Sequence, residues 1–149
     1  MLNLSRLVLK LKDKTEWQET PLPLTDTQYL GMVIDGLERL FVDTGRATEF
    51  DENKFTKTVT NTEEEDIVEY FYDANFILDE RKYIEICALI GFFEKVQSDV
   101  NNTFGYSTDA LTVTNADKPY ANLKDTIDRL DNERRILYYK MVRYTLGTE

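Results

Sequence analysis

The stretch from Tyr83 to Val96, "YIEICALIGFFEKV", decides the fold of this 149-residue chain. Its apolar residues repeat at helical spacing and continue on both sides, which predicts a helix over about 80–102 that is capped by Asp79. Further apolar residues cover most of the circumference of this helix. A helix with that pattern lies at the centre of its domain or in an interface.

A last helix is predicted towards the C-terminal end, capped by Asn115 or Asp117, with Pro119 in its first turn. Its apolar residues recur in the heptad pattern of a helix that packs along a partner. One arginine interrupts this seam, and a polar residue in a seam usually fixes the register or marks where the helix leaves its partner. The seam consists of Leu123, Ile127, Leu130, Arg134, Leu137, Met141 and Tyr144.

An earlier helix is predicted from a capping box at Thr25 and Gln28. Apolar residues then line one face at helical spacing, so the helix is expected at about 26–43. Gly45 follows and suits the left-handed conformation that ends many helices.

The segment after Gly45 has no helical period. Alternation in "KFTKTVTN", residues 54–61, predicts a short strand in a loop or small hairpin. Thr62 and Glu65 then resemble a second capping box, and carboxylates in a first turn suit the helix dipole. The sequence therefore predicts another helix over about 63–77.

The N-terminal segment is an arm and a linker. Residues 2–14 fit a helical and an alternating pattern equally well, with a net charge of +3. Pro21 and Pro23 then favour extended chain. We expect one domain over 1–149, with the arm and linker at 1–24 and the body at 25–149.

A strand is predicted between the last two helices, in "FGYSTDALTVTNADKPYANL" (104–123). Leu111 and Val113 alternate with threonines, which indicates a strand at about 109–114. Such a strand needs a partner, from a hairpin elsewhere in the chain or from another copy. The predicted fold class is mainly α: a helical bundle of about four helices with a short β strand or hairpin loop between the last two, protruding at 104–117.

Composition excludes several classes of function. The net charge is −10, which does not favour sequence-specific or backbone binding to nucleic acid. No histidine is present, and the single cysteine, Cys87, lies in an apolar run that is typical of buried thiols. Glycines are not clustered as in phosphate loops, and paired carboxylates such as Glu65 and Glu69 come with no pocket signature. We expect no enzyme activity, no cofactor, no metal and no membrane-spanning segment.

The acidic charge is concentrated in one part of the chain. Residues 49–80 contain eleven acidic and two basic side chains, whereas the two ends are comparatively basic. This polarity suits head-to-tail contact between copies, in which an acidic flank meets a basic one. A solvated acidic face accounts for the same pattern.

Residues 90–141, "IGFFEKVQSDVNNTFGYSTDALTVTNADKPYANLKDTIDRLDNERRILYYKM", resemble the head–tail connector (adaptor or head-completion) proteins of tailed bacteriophages. The shared order is a long apolar helix, a Tyr-Ser-Thr stretch, a short Val/Thr strand and a final helix with "L…R…R". The helix that ends at "FVDTGR" is also similar to the early helix of those proteins.

The resemblance implies a structural virion protein of the neck, assembled in the host cytoplasm as a homo-oligomeric ring that binds the portal and other neck or tail proteins. The strand at 109–114 would then pair between copies. The implied subunit interface consists of Tyr106, Ser107, Thr108, Leu111 and Val113. The alternative reading is an acidic protein-binding module, an inhibitor or DNA mimic that occupies a basic partner surface.

Overall fold

The computed structural model describes the backbone of residues 1–15, 24–106 and 113–147, and the side chains of 1–15, 24–98 and 123–142. The described chain is mainly helical, with four helices and a small antiparallel sheet. In chain order the elements are β1 (Leu2–Asn3), α1 (Leu4–Thr15), α2 (Asp26–Asp43), β2 (Phe55–Asn61), β3 (Asp66–Tyr72), α3 (Leu78–Tyr106) and α4 (Val113–Gly147).

Of the two positions that its apolar pattern allowed, the centre of the domain or an interface, helix α3 takes the first. The predicted cap at Asp79 is wrong, because Asp79 lies in the first turn of α3, which begins at Leu78. It packs against both α2 and α4. Tyr83, Ile84 and Phe92 are fully buried on it. Gly36 of α2 allows the close approach to α3, because a Cβ atom at this position would lie 2.8 Å from the carbonyl oxygen of Ile84.

Helix α2 confirms the prediction for 26–43 in its boundaries and in its cap. The Thr25 side chain accepts a hydrogen bond from the Gln28 amide, and the Gln28 side chain accepts one from the Thr25 amide. These two bonds satisfy amides that a helix start leaves without partners. Gly45 follows with φ 74°, the left-handed conformation that favours glycine.

The N-terminal segment divides into a strand and a helix. Leu2 and Asn3 pair with β3, and the Asn3 side chain then accepts a hydrogen bond of 3.0 Å from the Arg6 amide, as an N-cap does. Of the two patterns that residues 2–14 fit, the helical one holds from Leu4 onward. Its apolar face, Leu4, Leu7, Val8 and Leu11, is buried.

The seam predicted on the last helix is buried where its side chains are described. Leu130, Leu137 and Met141 are in the core, and Leu123 and Ile127 pack against it. The predicted start of this helix is wrong, because Asn115 and Asp117 lie inside α4, which begins at Val113.

The helix predicted at 63–77 is wrong, because this segment forms β3 and the turn before it. Strands β2 and β3 form a hairpin in which Phe55 pairs with Tyr72 and Asn61 pairs with Asp66. The sheet order is β1-β3-β2. Tyr72, at the base of the hairpin, is completely buried.

The strand predicted at 109–114 is wrong at its end, since Val113 and Thr114 belong to α4. The protruding loop predicted at 104–117 is likewise shorter, because Phe104 to Tyr106 are the last residues of α3. Residues 107–112 lie outside the described residues. The hairpin of the described chain lies between α2 and α3, where the strand predicted at 54–61 is confirmed as β2.

Candidate interaction site

The β2–β3 hairpin exposes both of its faces along most of its length. Every β2 residue after Phe55 is exposed, and so are the β3 residues from Asp66 to Val68. The exposed side chains include Val59 at 50%, Ile67 at 44% and Val68 at 38%. A two-stranded hairpin without a covered face is marginal in water, so this one depends on its base or on a partner.

Thr62 and Glu65, whose spacing resembles a helix cap in the sequence, close the turn of the hairpin. The Glu65 amide donates a hydrogen bond of 3.1 Å to the Thr62 hydroxyl, as in a capping box. The Thr62 amide, however, donates to the Glu65 carbonyl at 3.2 Å, which closes the turn between two strands. The three glutamates of this turn, Glu63 to Glu65, are exposed.

An aromatic cluster anchors the base of the hairpin. The Tyr72 ring lies 5.0 Å from that of Phe55 and 6.0 Å from those of Phe41 and Phe50. Its hydroxyl accepts a hydrogen bond of 3.2 Å from the Asp51 amide. Ring pairs in offset and edge-to-face geometry add to the burial energy, so the base is the rigid part of the hairpin.

The edge of β3 that faces away from β2 is paired only at its end. Strand β1 covers Phe71 and Tyr72, and the chain then turns into α1. The Tyr70 amide donates a hydrogen bond of 2.9 Å to the Ser5 hydroxyl, which ends the pairing. On this edge, the described residues give Asp66 to Glu69 no strand partner.

Alternation fixes which backbone groups face this open edge. The Asp73 amide donates to the Lys54 carbonyl, so odd-numbered residues of this segment face β2. The Tyr70 amide points the other way, towards Ser5. Because neighbouring residues of a strand direct their backbone groups to opposite sides, Val68 and Asp66 present theirs at the open edge.

A groove of about 640 Å³ runs beside the open edge, between β3, α1 and the start of α2. Val8, Leu9 and Leu30 give its helical side an apolar surface, and Leu9 is 59% exposed. Ile67, Val68, Glu69 and Tyr70 line its β3 side. An exposed apolar groove next to an unpaired strand edge is the geometry that accepts an added strand.

Among the described side chains, one basic residue of the groove has no acidic partner. Lys10 and Lys14 contact Glu85, and Lys12 contacts Asp26. The exposed Arg6 side chain lines the groove and forms no salt bridge within the described ranges 1–15, 24–98 and 123–142.

A polar cluster lies between α4 and the helices α2 and α3, at the point where the seam of α4 contains Arg134. The Arg134 guanidinium donates a hydrogen bond of 3.0 Å to the Tyr83 hydroxyl, which in turn donates to Asp43. Burial acts to lower the pKa of Arg134, but hydrogen bonds to Tyr83 and Asp131 outweigh it, so the pKa is raised. Burial and the bond to Asp43 raise the pKa of Tyr83. This cluster joins α2, α3 and α4 and has a structural role.

Cys87 is buried on α3, as its apolar neighbourhood predicted. Burial raises the pKa of its thiol to about 12, so the thiolate is scarce at neutral pH. Since the thiolate is the reactive form, Cys87 has the character of a core residue.

The predicted interface residues fall at the two ends of the undescribed stretch or within it. Tyr106 is the last residue of α3 and Val113 is the first of α4. Ser107, Thr108 and Leu111 lie outside the described residues, so their interface role stays a prediction. Sequence reasoning missed the open edge of β3, although "DIVEYFY" (66–72) is rich in strand-forming residues.

No protein-family model, curated protein or solved structure matches this chain. In the part of the chain that the structure describes, no helix is long and apolar enough to cross a membrane. No group of three or more potential metal ligands occurs among the described side chains. The most exposed features that the described residues offer as a candidate site are the hairpin, the open edge of β3 and the groove beside it.

Proposed function

We propose that this chain is a structural subunit that assembles with other copies of itself, and that the β2–β3 hairpin is a main contact element. The observation that carries the proposal is the exposure of both hairpin faces, with Val59, Ile67 and Val68 in solvent. Contact with another subunit would cover these side chains. It would also stabilise a hairpin that only its base now holds.

The finer proposal is a ring in the head–tail connector of a tailed phage, where the chain contacts the portal and neighbouring neck proteins. It is supported by the resemblance of residues 90–141 to connector proteins and by the long helices α3 and α4. In this proposal a helical bundle forms the body of each subunit. Tyr106, Ser107, Thr108, Leu111 and Val113 form a further contact at the other end of α3.

Electron microscopy of the purified chain tests the finer proposal. Closed rings of uniform diameter at increasing protein concentration are the expected result. Particles of monomer size at every concentration, with and without a purified phage portal, would contradict it. Dimers or small oligomers without closure would support assembly and contradict the ring.

A second candidate is the acidic binding module, and the acidic turn favours it. Glu63, Glu64 and Glu65 are exposed side by side at the tip of the hairpin. Replacing all three with lysine separates the two proposals. The module predicts that binding to a basic probe, polylysine, is lost, whereas the connector predicts only a mild change in the size of the assembly.

A further inference from the structure

Strand β2 forms the other edge of the sheet, and no described strand pairs with its outer side. The odd-numbered residues of β3 direct their backbone groups to β2, and each lies opposite an even-numbered residue of β2. The odd-numbered residues Lys57, Val59 and Asn61 therefore present their amides and carbonyls at the outer edge. This free edge starts after Phe55, because the Phe55 amide donates to the Glu52 carbonyl.

A second copy of β2 fits this edge when the two strands run antiparallel about Val59. The two Val59 residues then lie opposite each other, and Lys57 of each copy lies opposite Asn61 of the other. Each pair exchanges both of its backbone hydrogen bonds, so every free group between 57 and 61 finds a partner. A centre nearer the base would need the Phe55 amide, which is already bonded, and a centre nearer the tip would need residues of the turn.

This register also joins the exposed valines of the two hairpins. Val59 lies opposite Val68 within each hairpin, so both side chains are on one face of the sheet. In the pair, the two copies of each residue form a continuous row of valines across four strands. Because both side chains are exposed in a single subunit, the row covers apolar surface that water now contacts.

Two charges on the same face complement each other across the pair. Lys57 and Asp66 are exposed, and within the described part of the chain neither forms a salt bridge. Asp66 lies opposite Asn61 in the hairpin, so the second copy places its Asp66 two strand spacings, about 10 Å, from Lys57. Extended lysine and aspartate side chains bridge this separation, and the two-fold axis forms the contact twice.

Charge and space disfavour hairpins that stack side by side in one direction. Stacking brings together the acidic turns of neighbouring copies, residues 63–66. It also requires the outer edge of β3, which β1 and the start of α1 cover in part. The antiparallel pair instead places each turn beside the base of the other hairpin, where Lys54 and Lys57 balance Asp51 and Glu52.

From the free edge of β2, the valine row and the charges of Lys57 and Asp66, we infer that two copies of this chain pair their β2 strands antiparallel across a two-fold axis at Val59. The inference rests on the proposed self-assembly and specifies one of its contacts. Two-fold contacts use the same surface on both copies and stop at a pair. A ring therefore needs a second contact elsewhere, for which the predicted residues between Tyr106 and Val113 are available.

Disulfide trapping tests this contact, because a hydrogen-bonded antiparallel pair places the two Val59 Cα atoms about 5.5 Å apart, within the range of a disulfide. The Val59→Cys variant should give a disulfide-linked dimer of doubled mass on mild oxidation. The native Cys87 is buried and does not interfere. Val68→Cys is the matched control: it is directly opposite Val59 on the same hairpin, but three strand spacings, about 14 Å, separate the two copies of residue 68.

Charge reversal at Lys57 gives an independent measurement. In the two-fold pair, Lys57→Glu loses the contact with Asp66 twice and should raise the dimer dissociation constant by at least about tenfold, measured by light scattering over a dilution series. Lysines on edge strands can also serve to prevent pairing, and in that case the substitution tightens association. Lys124→Glu is the control, because it makes the same charge change on an exposed part of α4 and should leave the constant nearly unchanged.

The outcomes separate the inference from the proposal beneath it. Self-association of the wild type, with cross-linking at residue 59 and not at 68 and with weakening by Lys57→Glu, is the expected result. If the wild type self-associates but Val59→Cys gives no cross-linked dimer, or Lys57→Glu tightens association, the edge contact is wrong and assembly stands. If the wild type stays monomeric and neither cysteine variant is trapped, both fail. Cross-linking only in a mixture of the Val59→Cys and Val68→Cys variants would replace the two-fold pair with stacked hairpins.

Discussion

The Arg134 guanidinium donates a hydrogen bond of 3.0 Å to the hydroxyl of Tyr83 in the middle of the α3–α4 contact. The Tyr83 hydroxyl donates a hydrogen bond to Asp43 of α2, and the Nη1 atom of Arg134 lies 3.6 Å from the same carboxylate. One arginine in an apolar seam is thus held by groups from two other helices. Its position fixes how α4 is placed along α3.

Removing the Tyr83 hydroxyl should destabilise the fold. The Tyr83→Phe variant removes the acceptor of the Arg134 Nη1 atom, while Asp131 still accepts from Nε. The loss of a hydrogen bond to a largely buried charged group costs about 1–3 kcal/mol. Urea unfolding gives the free energy directly. Tyr139→Phe is the control, since Tyr139 is 66% exposed and its change should stay within about 0.5 kcal/mol. Equal effects of the two substitutions would contradict the structural role of this cluster.

Two glycines of α2 should respond to alanine in opposite directions. A Cβ atom at Gly36 meets the Ile84 carbonyl at 2.8 Å, so Gly36→Ala forces α2 and α3 apart and should cost about 1–3 kcal/mol. A Cβ atom at Gly31 meets nothing within 4 Å, so Gly31→Ala should stabilise the helix by about 0.5–1 kcal/mol. Thermal unfolding of both variants and the wild type shows whether each substitution lowers or raises the melting temperature. A tolerated Gly36→Ala would mean that the helices are further apart.

Substitutions at the base of the hairpin should lower the free energy of unfolding strongly, whereas substitutions in its distal part should not. Tyr72→Ala removes a fully buried ring from the aromatic cluster and should cost about 3–5 kcal/mol. Val59→Ala, at a half-exposed position, should change the monomer by less than about 0.5 kcal/mol. Chemical denaturation at low protein concentration compares them. A large loss for Val59→Ala in the monomer would show that the distal hairpin is packed against the body.

Alkaline pH should weaken the fold through Cys87. Burial raises the pKa of the folded thiol to about 12, whereas an unfolded thiol ionises near 8.5. The folded state therefore holds its proton while the unfolded state loses it, and the contribution present below about pH 8.5 is lost as the pH rises towards 12. Between about pH 9 and 10.5, the unfolding free energy of the wild type should fall faster than that of Cys87→Ala, by up to about 1.4 kcal/mol per pH unit. Parallel pH profiles would contradict the burial of this thiol.

Local sequence signals predicted the helices correctly where a signal is compatible with only one type of secondary structure. The Thr25–Gln28 cap and the left-handed Gly45 were confirmed, as was the burial of the seam from Leu123 to Met141, whereas the side chain of its last residue, Tyr144, lies outside the described residues. Periodicity also identified α3 as the central helix. These features depend on neighbours in sequence or on one face of a helix, and both can be read without tertiary contacts.

The hairpin could not be predicted in full because its signals have two meanings. Thr62 with Glu65 fits a helix cap and a strand turn equally well, and only pairing with β2 decides between them. In the strand, the Tyr72 ring packs against the rings of Phe41 and Phe50, which are far from it in sequence. The length of the open edge of β3 depends on where its pairing with β1 ends, and this pairing is a tertiary contact that local sequence signals do not predict.

Mass by light scattering over a concentration series tests the central claim, that the hairpin mediates self-association. The wild type should form an oligomer, and a Val59→Asp, Ile67→Asp variant should remain monomeric. Ile136→Asp with Tyr139→Asp is the control, because these exposed residues of α4 lie outside the hairpin. A Leu111→Asp, Val113→Asp variant tests the second predicted contact in the same series. A wild-type monomer at every concentration, or an oligomer that survives the hairpin substitutions, would contradict the claim.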